Sequence, residues 1–310
     1  MYDVIIIGAG PAGLTAGLYS GRYRLKSLIL EKMAVGGQIV LSSDIENYPG
    51  FPGSTGTFDL MDKMKQQVEE AGVEIRLEEV LELAQGKAQG SQAASYRLKT
   101  TENTYETRAI ILAVGAQPKR LGVKGEDKCI GHGVSYCGTC DGPLFREKEI
   151  AVVGGGDRAL EEALFLTRYA SRVHLIHRRD ALRASAILVD KARDNPKINF
   201  VLSSVVEEIT GKDKVEGLLI KDLKAGAVKE LPVSGVFMFV GIIPNTGFLK
   251  AFVEMDKDGF IIADQNMRAS REGVFACGDC CQKAFRQVVT ACSDGANASY
   301  SAQTYLDNAQ

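Results

Sequence analysis

The sequence predicts an α/β fold of two domains, each built on a parallel sheet with helices packed against it. Three observations carry the prediction. The chain has 310 residues, above the roughly 250–300 at which a single core stops growing. A strand, a glycine-rich loop and a helix follow one another near the N-terminus, and again from Ile150 onward. In both places the same distance separates the first glycine from a charged residue that ends the next strand.

The first unit opens with Val4-Ile5-Ile6-Ile7, an apolar β-branched run that reads as a strand. Gly8-Ala9-Gly10-Pro11-Ala12-Gly13 follows at once, then a helical stretch, Leu14 to Tyr23. This is a Rossmann-like dinucleotide fingerprint in the strand–turn–helix context it needs. Gly8 allows the tight turn, Gly10 lets the backbone approach a pyrophosphate, and Gly13 lets the helix pack on the strand, while the helix N-terminus attracts the anion. A second strand, Ser27-Leu28-Ile29-Leu30, ends in Glu31, where an acid accepts hydrogen bonds from a ribose 2′-hydroxyl.

The second unit repeats the plan. Ile150-Ala151-Val152-Val153 leads into Gly154-Gly155-Gly156-Asp157-Arg158-Ala159, a helix to about Tyr169, and a strand Val173-His174-Leu175-Ile176 that ends in His177-Arg178-Arg179. Gly8 to Glu31 and Gly154 to His177 are both 23 positions. One site is therefore read as taking a free ribose and the other a 2′-phosphate, which paired guanidinium groups grip in a two-pronged geometry. The bland alternatives are a turn without ligand for each glycine loop and a solvated turn for the basic cluster.

Between the units stand Cys137-Gly138-Thr139-Cys140, followed by Asp141-Gly142-Pro143-Leu144, a turn sequence that predicts the start of a helical segment. A thiol near a helix N-terminus has its pKa lowered from about 8.5 towards or below neutrality, which supplies the thiolate that disulfide exchange needs. The spacing lets the two sulfurs bond within one turn. Two rivals stand beside this redox pair. Cys129, His132, Cys137 and Cys140 space like four zinc ligands, and the cysteines could equally be small buried residues. A redox couple has an evident role between two electron carriers, and a structural ion has none. Asp141 reads either as an acid or base for a departing thiolate or as the first residue of an Asp-Gly turn.

Composition narrows the partners. The net charge is −2, from 37 basic and 39 acidic residues, so neither nucleic acid nor an anionic membrane is expected. The longest apolar run, Val236 to Ile243, is far below the roughly 18 residues of a spanning helix. Met1 to Gly8 is too short and too poor in basic residues for a secretory signal. Together with seven cysteines, an odd number, these features predict a cytoplasmic protein without a disulfide framework.

With these pieces in order, the chain resembles the low-molecular-weight thioredoxin reductases among the FAD/NAD(P)-linked disulfide reductases. The resemblance runs through Gly8–Gly13, Gly36-Gly37-Gln38, Glu46-Asn47-Tyr48-Pro49-Gly50-Phe51-Pro52, Ala113-Val114-Gly115-Ala116-Gln117-Pro118, the cysteine pair with Asp141-Gly142, Gly154–Ala159, His177-Arg178-Arg179-Asp180 with Arg183, Gly241-Ile242-Ile243-Pro244-Asn245-Thr246, and Ala276-Cys277-Gly278-Asp279 with Arg286-Gln287. It implies two Rossmann-like, three-layer ββα domains. The FAD domain comprises residues 1–117 and 245–310, and the NADP(H) domain, 118–244, is inserted between them and carries the disulfide. It implies that Gly8, Gly10, Pro11, Ala12, Gly13, Glu31, Gly37, Gln38, Asn47, Gly115, Asp279, Arg286, Gln287 and Val288 contact FAD. NADP is assigned to Gly154, Gly156, Arg158, Ala159, His177, Arg178, Arg179 and Arg183.

The same resemblance implies the path of the electrons: from NADPH to the flavin, to Cys137–Cys140, and on to thioredoxin or a thioredoxin-like protein. Cys140 is then the sulfur nearer the flavin, Cys137 attacks the partner, and one domain rotates about linkers near 117–119 and 241–245 in a homodimer. The chain departs from the family pattern at three places. Asp157-Arg158 replaces a small hydroxyl residue before Ala159, Gly138 replaces a bulkier small residue, and Cys280, Cys281 and Cys292 are extra thiols read as small buried residues. Arg158 either adds a phosphate contact or crowds the pyrophosphate. Two other functions fit the scaffold: a ferredoxin- or flavodoxin-linked flavoprotein disulfide reductase with altered or lost NADPH use, and a flavin-bearing redox sensor.

Overall fold

A computed structural model describes residues 1–41, 44–45, 48–52, 55–86 and 95–308, except for the side chains of Leu41, Asp44, Thr139 and Cys140. The chain divides into two compact units, Met1–Gln117 with Ile243–Gln310, and Pro118–Ile242. No helix among the described residues is long and apolar enough to cross a membrane.

In the first unit the apolar run that opens the chain becomes the strand Tyr2–Ile7. It pairs in parallel with Ser27–Glu31 on one side, Ile5 opposite Leu28, and with Thr104–Leu112 on the other, Ile5 opposite Ile110. Glu74–Leu77 and Val274–Ala276 extend the parallel part at either end. Tyr96–Thr100 and Val80–Gln85 add an antiparallel extension beyond Thr104–Leu112. Burial follows this arrangement. Val4 to Ile7 are all buried because both faces of the central strand are covered, whereas Tyr96–Thr100 alternates buried and exposed, as a one-sided antiparallel strand should.

On one face Val4, Ile6 and Ile29 pack with Leu14, Leu60, Val68 and Ala298, brought there by the helices Pro11–Arg22, Thr57–Glu70 and Val288–Asn308. Each large apolar side chain so removed from water contributes about 1.5–3 kcal/mol. The first and last helices approach closely through small residues. A Cβ on Gly295 would run into the Ala12 carbonyl, and Ser20 and Ser299 share a buried hydrogen bond of 2.9 Å. The observed first helix starts at Pro11, three residues before the expected stretch, since proline suits the first helical turn.

The second unit has a parallel sheet of Val134–Ser135, Gly235–Phe239, Glu149–Gly154, Arg172–Ile176 and Ile198–Val201, in that order. Ile150, Val152, Leu175 and Phe237 face the helices Asp157–Leu166 and Ala186–Arg193. Ala151, Val153, Ile176 and Met238 face the other way, onto an antiparallel sheet of Ser204–Thr210, Gly217–Asp222 and Val228–Pro232. Sheet, sheet and helices form the three-layer ββα arrangement that the resemblance implies. The helix after the second glycine loop stops at Leu166, short of Tyr169, where the Thr167 hydroxyl turns back to donate to the Leu164 carbonyl.

Candidate functional site

In the first unit the carboxyl ends of Tyr2–Ile7, Thr104–Leu112 and Val274–Ala276 bring together loops that are far apart in sequence, the usual position of a ligand crevice in an open α/β sheet. Gly8 has φ +107°, and a Cβ there would overlap the Ala113 carbonyl; a Cβ on Gly13 would overlap the carbonyl of Gly8. Gly36 donates its N–H to the Ala9 carbonyl at 2.8 Å. That bond lays the second loop on the first, so a Cβ on Gly37 would sit 3.2 Å from the Gly10 Cα. Pro11 and Ala12 start the helix, and no side chain caps it, leaving its first amides to an anion.

Glu31 is fixed at its strand end by two amides, Ala9 N–H at 2.8 Å and Met33 N–H at 3.0 Å. Gly115 has φ +64° with open space where a Cβ would stand, and Asn245 clasps this segment by donating its backbone N–H to the Gly115 carbonyl and Nδ2 to the Val114 carbonyl. Gly278, φ +78°, comes so close to the first helix that a Cβ would lie 2.8 Å from Ala12 Cβ. This places Asp279 at the same edge. Arg286 clips the Asp279 turn, donating Nη2 to the Cys281 carbonyl at 3.0 Å while its guanidinium stacks 4.3 Å from the Phe260 ring centre. Gln287 donates its N–H to Thr290 Oγ1, and Val288 begins the last helix. Gln38 is exposed beside Gly37. Asn47 lies outside the described residues.

Two participants escaped the sequence reading, Asp294, which accepts from Gly278 N–H and Lys283 Nζ, and Lys283 itself, while Asn245 was read only as part of a linker motif. Their role comes from pairing across loops, which leaves no local pattern. Of the extra thiols, Cys280 and Cys281 are buried as expected, whereas Cys292 is only half-buried and accepts from the Tyr48 hydroxyl at 3.8 Å. Cys277, Cys280 and Cys281 are buried, and the Cys280 thiol donates to the Cys277 carbonyl at 3.2 Å. Burial pushes the Cys277 thiol well up, and the hydrogen bond with Cys280, added to burial, does the same to Cys281, so neither supplies a thiolate.

In the second unit, a Cβ on Gly154 would meet Ala159 Cβ and the Phe239 carbonyl, both at 2.6 Å. Gly156 caps the helix Asp157–Leu166 with open space beside it. The Arg158 guanidinium lies 5.6 Å from the Phe239 ring centre, and nothing stands within 4 Å of where a Gly156 Cβ would be. Arg183 donates its N–H to the Gly155 carbonyl at 2.7 Å and ties the basic cluster to the glycine loop. A cavity of about 450 Å³ opens among Arg178, Arg179, Arg183, Ser203, Leu223 and Lys224. The last three come from loops at the end of the neighbouring antiparallel sheet, beyond the reach of a motif.

His177 does not line this cavity. It is 6% exposed and packs against Gly155, whose Cβ would strike the imidazole ring. Burial, and then Arg183, Arg179 and Arg178, push its pKa down, against a backbone hydrogen bond at Ala181; Nε2 has no partner. The folded chain therefore protonates His177 only at lower pH than the unfolded chain, whose imidazole takes up its proton at about pH 6.5. The unfolded state then holds more protons, and stability falls as pH drops through that range. Urea midpoints should decline from neutral to mildly acidic pH, and His177→Asn should flatten the decline; an equally steep profile in the variant would refute the assignment.

Cys137 is disulfide-bonded. Its backbone is extended, φ −142° and ψ 110°, at the cap of a short helical turn, Gly138–Asp141, that packs against Asp157–Leu166. The Ser135 hydroxyl holds it on both sides, accepting from Cys137 N–H at 3.1 Å and donating to the Cys137 carbonyl at 3.0 Å. The helical segment thus begins one residue after Cys137, earlier than the Asp141-Gly142 sequence suggests, and Asp141 ends the turn, half-buried. The zinc arrangement is not assembled among the described residues: Cys129 is buried in the core, His132 is exposed, and no cluster of three or more ligating side chains forms.

Residues 2–295 match the pyridine nucleotide-disulphide oxidoreductase family. The chain is similar to the thioredoxin reductase of Treponema pallidum, 43% identical over 100% of this chain and 98% of that protein. It is likewise similar to that of Listeria monocytogenes, 45% identical over 99% and 94%. The crystal structure of Lactococcus lactis thioredoxin reductase superposes with a TM-score of 0.81 at 41% identity, over 99% of this chain and all of that one. The glycine loops, the basic cluster and the disulfide-bearing turn therefore stand in a chain that belongs to the pyridine nucleotide-disulphide oxidoreductase family, on its low-molecular-weight thioredoxin reductase branch.

Proposed function

We propose that this enzyme passes electrons from NADPH through FAD to a Cys137–Cys140 disulfide, and from the resulting dithiol to thioredoxin or a thioredoxin-like protein. The observation that carries the reading is the disulfide at Cys137, set on a turn that packs against the helix opened by the second glycine loop. Five of the other cysteines are free, which supports Cys140 as the partner.

The unit formed by both ends of the chain is assigned FAD. Gly10 facing Gly37, the open space over Gly115 and the uncapped first helix fit a pyrophosphate and a flat ring system. Glu31 is placed for the ribose, and Gln38, Asn47, Asp279, Arg286, Gln287 and Val288 complete the set. Bound FAD supplies a two-electron relay between a nicotinamide hydride and a disulfide. The inserted unit is assigned NADPH, with Gly154, Gly156 and Ala159 under the pyrophosphate and Arg178, Arg179 and Arg183 on the 2′-phosphate. Arg158, stacked on Phe239, leaves the open side of Gly156 clear for that ligand.

In the reductive step on the partner, the Cys137 thiolate attacks one sulfur of the thioredoxin disulfide. That S–S bond breaks, a mixed disulfide forms, and the departing sulfur takes a proton from Asp141, the acid assigned here. Cys140 then attacks Cys137, closing the intramolecular disulfide and releasing reduced thioredoxin. The enzyme is further assigned as a cytoplasmic homodimer that needs neither nucleic acid nor membrane.

Anaerobic titration of the purified enzyme tests the scheme. NADPH should bleach the visible flavin band and deliver one further two-electron equivalent to the disulfide, and added thioredoxin should restore the band. Failure of NADPH to reduce the flavin, while reduced ferredoxin succeeds, would overturn the donor assignment.

A further inference from the structure

Glu162 stands where no glycine loop or cysteine motif would place a functional group. It lies on Asp157–Leu166, the helix against which the cysteine-bearing turn packs. Its Oε2 is buried with no hydrogen-bond partner, and the carboxyl group lies against the Gly138 backbone, whose N–H favours its charged form. Gly138 immediately follows Cys137, and a Cβ at Gly138 would fall on Oε2 itself. The glycine that this chain carries between its cysteines is thus what lets a carboxyl group lodge behind the turn.

We propose that Glu162 is a positioning residue of the redox centre, whose carboxyl group takes up a proton when the Cys137 disulfide is reduced and releases it on reoxidation. The inference rests on the proposed redox role of Cys137 and Cys140. Two electrons from NADPH enter the S–S bond and break it. One sulfur takes a proton to become a thiol, the other remains a thiolate, and a second proton, from water, goes to the Glu162 carboxylate. The new negative charge beside Gly138 favours the protonated acid, and the protonated acid in turn favours the thiolate. Between the pKa of Glu162 in the oxidised enzyme and its higher value in the reduced one, reduction is coupled to this proton.

The surroundings leave Glu162 free to respond. Burial raises its pKa; Arg158 and the Gly138 N–H lower it, and Glu161 raises it. From the turn it meets Gly138, the residue after Cys137, with Asp141 at the far end. On the helix Ala186–Arg193, packed against the same element, Asp190, Lys191 and Arg193 are exposed. On the strands beneath, Glu149 and His174 pair with each other at 2.8 Å, Arg172 is exposed, and Gly235–Phe239 has no charged residue.

The test is the potential of the disulfide in the flavin-loaded enzyme, measured by equilibration with glutathione redox buffers and thiol alkylation from mildly acidic to alkaline pH. Wild type should show a window in which the equilibrium shifts an extra tenfold per pH unit, about 30 mV for a two-electron couple. Glu162→Gln keeps an acceptor for the Gly138 N–H but cannot ionise, and should lose the window. Gly138→Ala, which displaces the carboxyl group without removing it, should lose it too. Parallel profiles for wild type and Glu162→Gln would overturn the proposal. If no two-electron couple appears at Cys137 in wild type, the redox assignment itself falls, and the role of Glu162 with it.

Discussion

Replacing Cys137 with serine is expected to abolish thioredoxin reduction, by about 10³-fold or more in kcat/KM, as loss of a covalent nucleophile does. Reduction of the flavin by NADPH should remain. The separation follows from the order of the proposed steps. The Cys137 sulfur is needed only to hold the disulfide and attack the partner, whereas hydride transfer to the flavin precedes both. A serine hydroxyl is not ionised near neutrality and forms no disulfide, so the one remaining thiol can neither store two electrons nor resolve a mixed disulfide. The backbone should tolerate the change, because Cys137 is fixed by the Ser135 hydroxyl through its N–H and carbonyl. Cys140→Ser should lose turnover equally. The measurements are thioredoxin-coupled turnover and anaerobic flavin bleaching on the same preparations; full thioredoxin reduction in either variant would sink the redox pair.

How much of this was legible in the residues depends on how local each feature is. The glycine loops could be read because strand, turn and helix are contiguous, and the reasons assigned to Gly8 and Gly13 reappear as the carbonyls a Cβ would strike. Glu31 could be placed by counting, since a βαβ unit of fixed length returns the second strand to the side of the first. Other features arise only from tertiary contact. Gly278 owes its part in the site to the first helix, against Ala12, and without a resemblance it reads as a turn. His177 fell within a basic cluster, yet the strand it ends turns its ring under Gly155 and leaves the cavity to the arginines and Lys224. Glu162 looks like any polar position on an amphipathic helix until the turn packs onto it.

Removing both Arg178 and Arg179 as alanines is expected to weaken NADPH by about 10- to 100-fold in KM while NADH changes little. Each charge-assisted hydrogen bond to phosphate is worth roughly 1.5–3 kcal/mol when well formed. Both arginines are exposed in the free chain, so solvent screening brings the pair towards the lower end of that range. The cavity nevertheless keeps Arg183 and Lys224 on its wall, and these should leave some attraction for the 2′-phosphate. NADH has no such phosphate, so its KM reports only on the glycine loop and the rest of the dinucleotide. Lys224 ends 3.6 Å from Asp180, and its replacement alone should matter less, since that exposed acid already offsets part of its charge. The ratio of kcat/KM for the two donors, compared between wild type and the double variant, isolates the phosphate contribution from any loss of fold. An unchanged ratio would show that the cluster does not read the 2′-phosphate. A parallel rise in both KM values would instead point to a disturbed glycine loop, which Arg183 holds through Gly155.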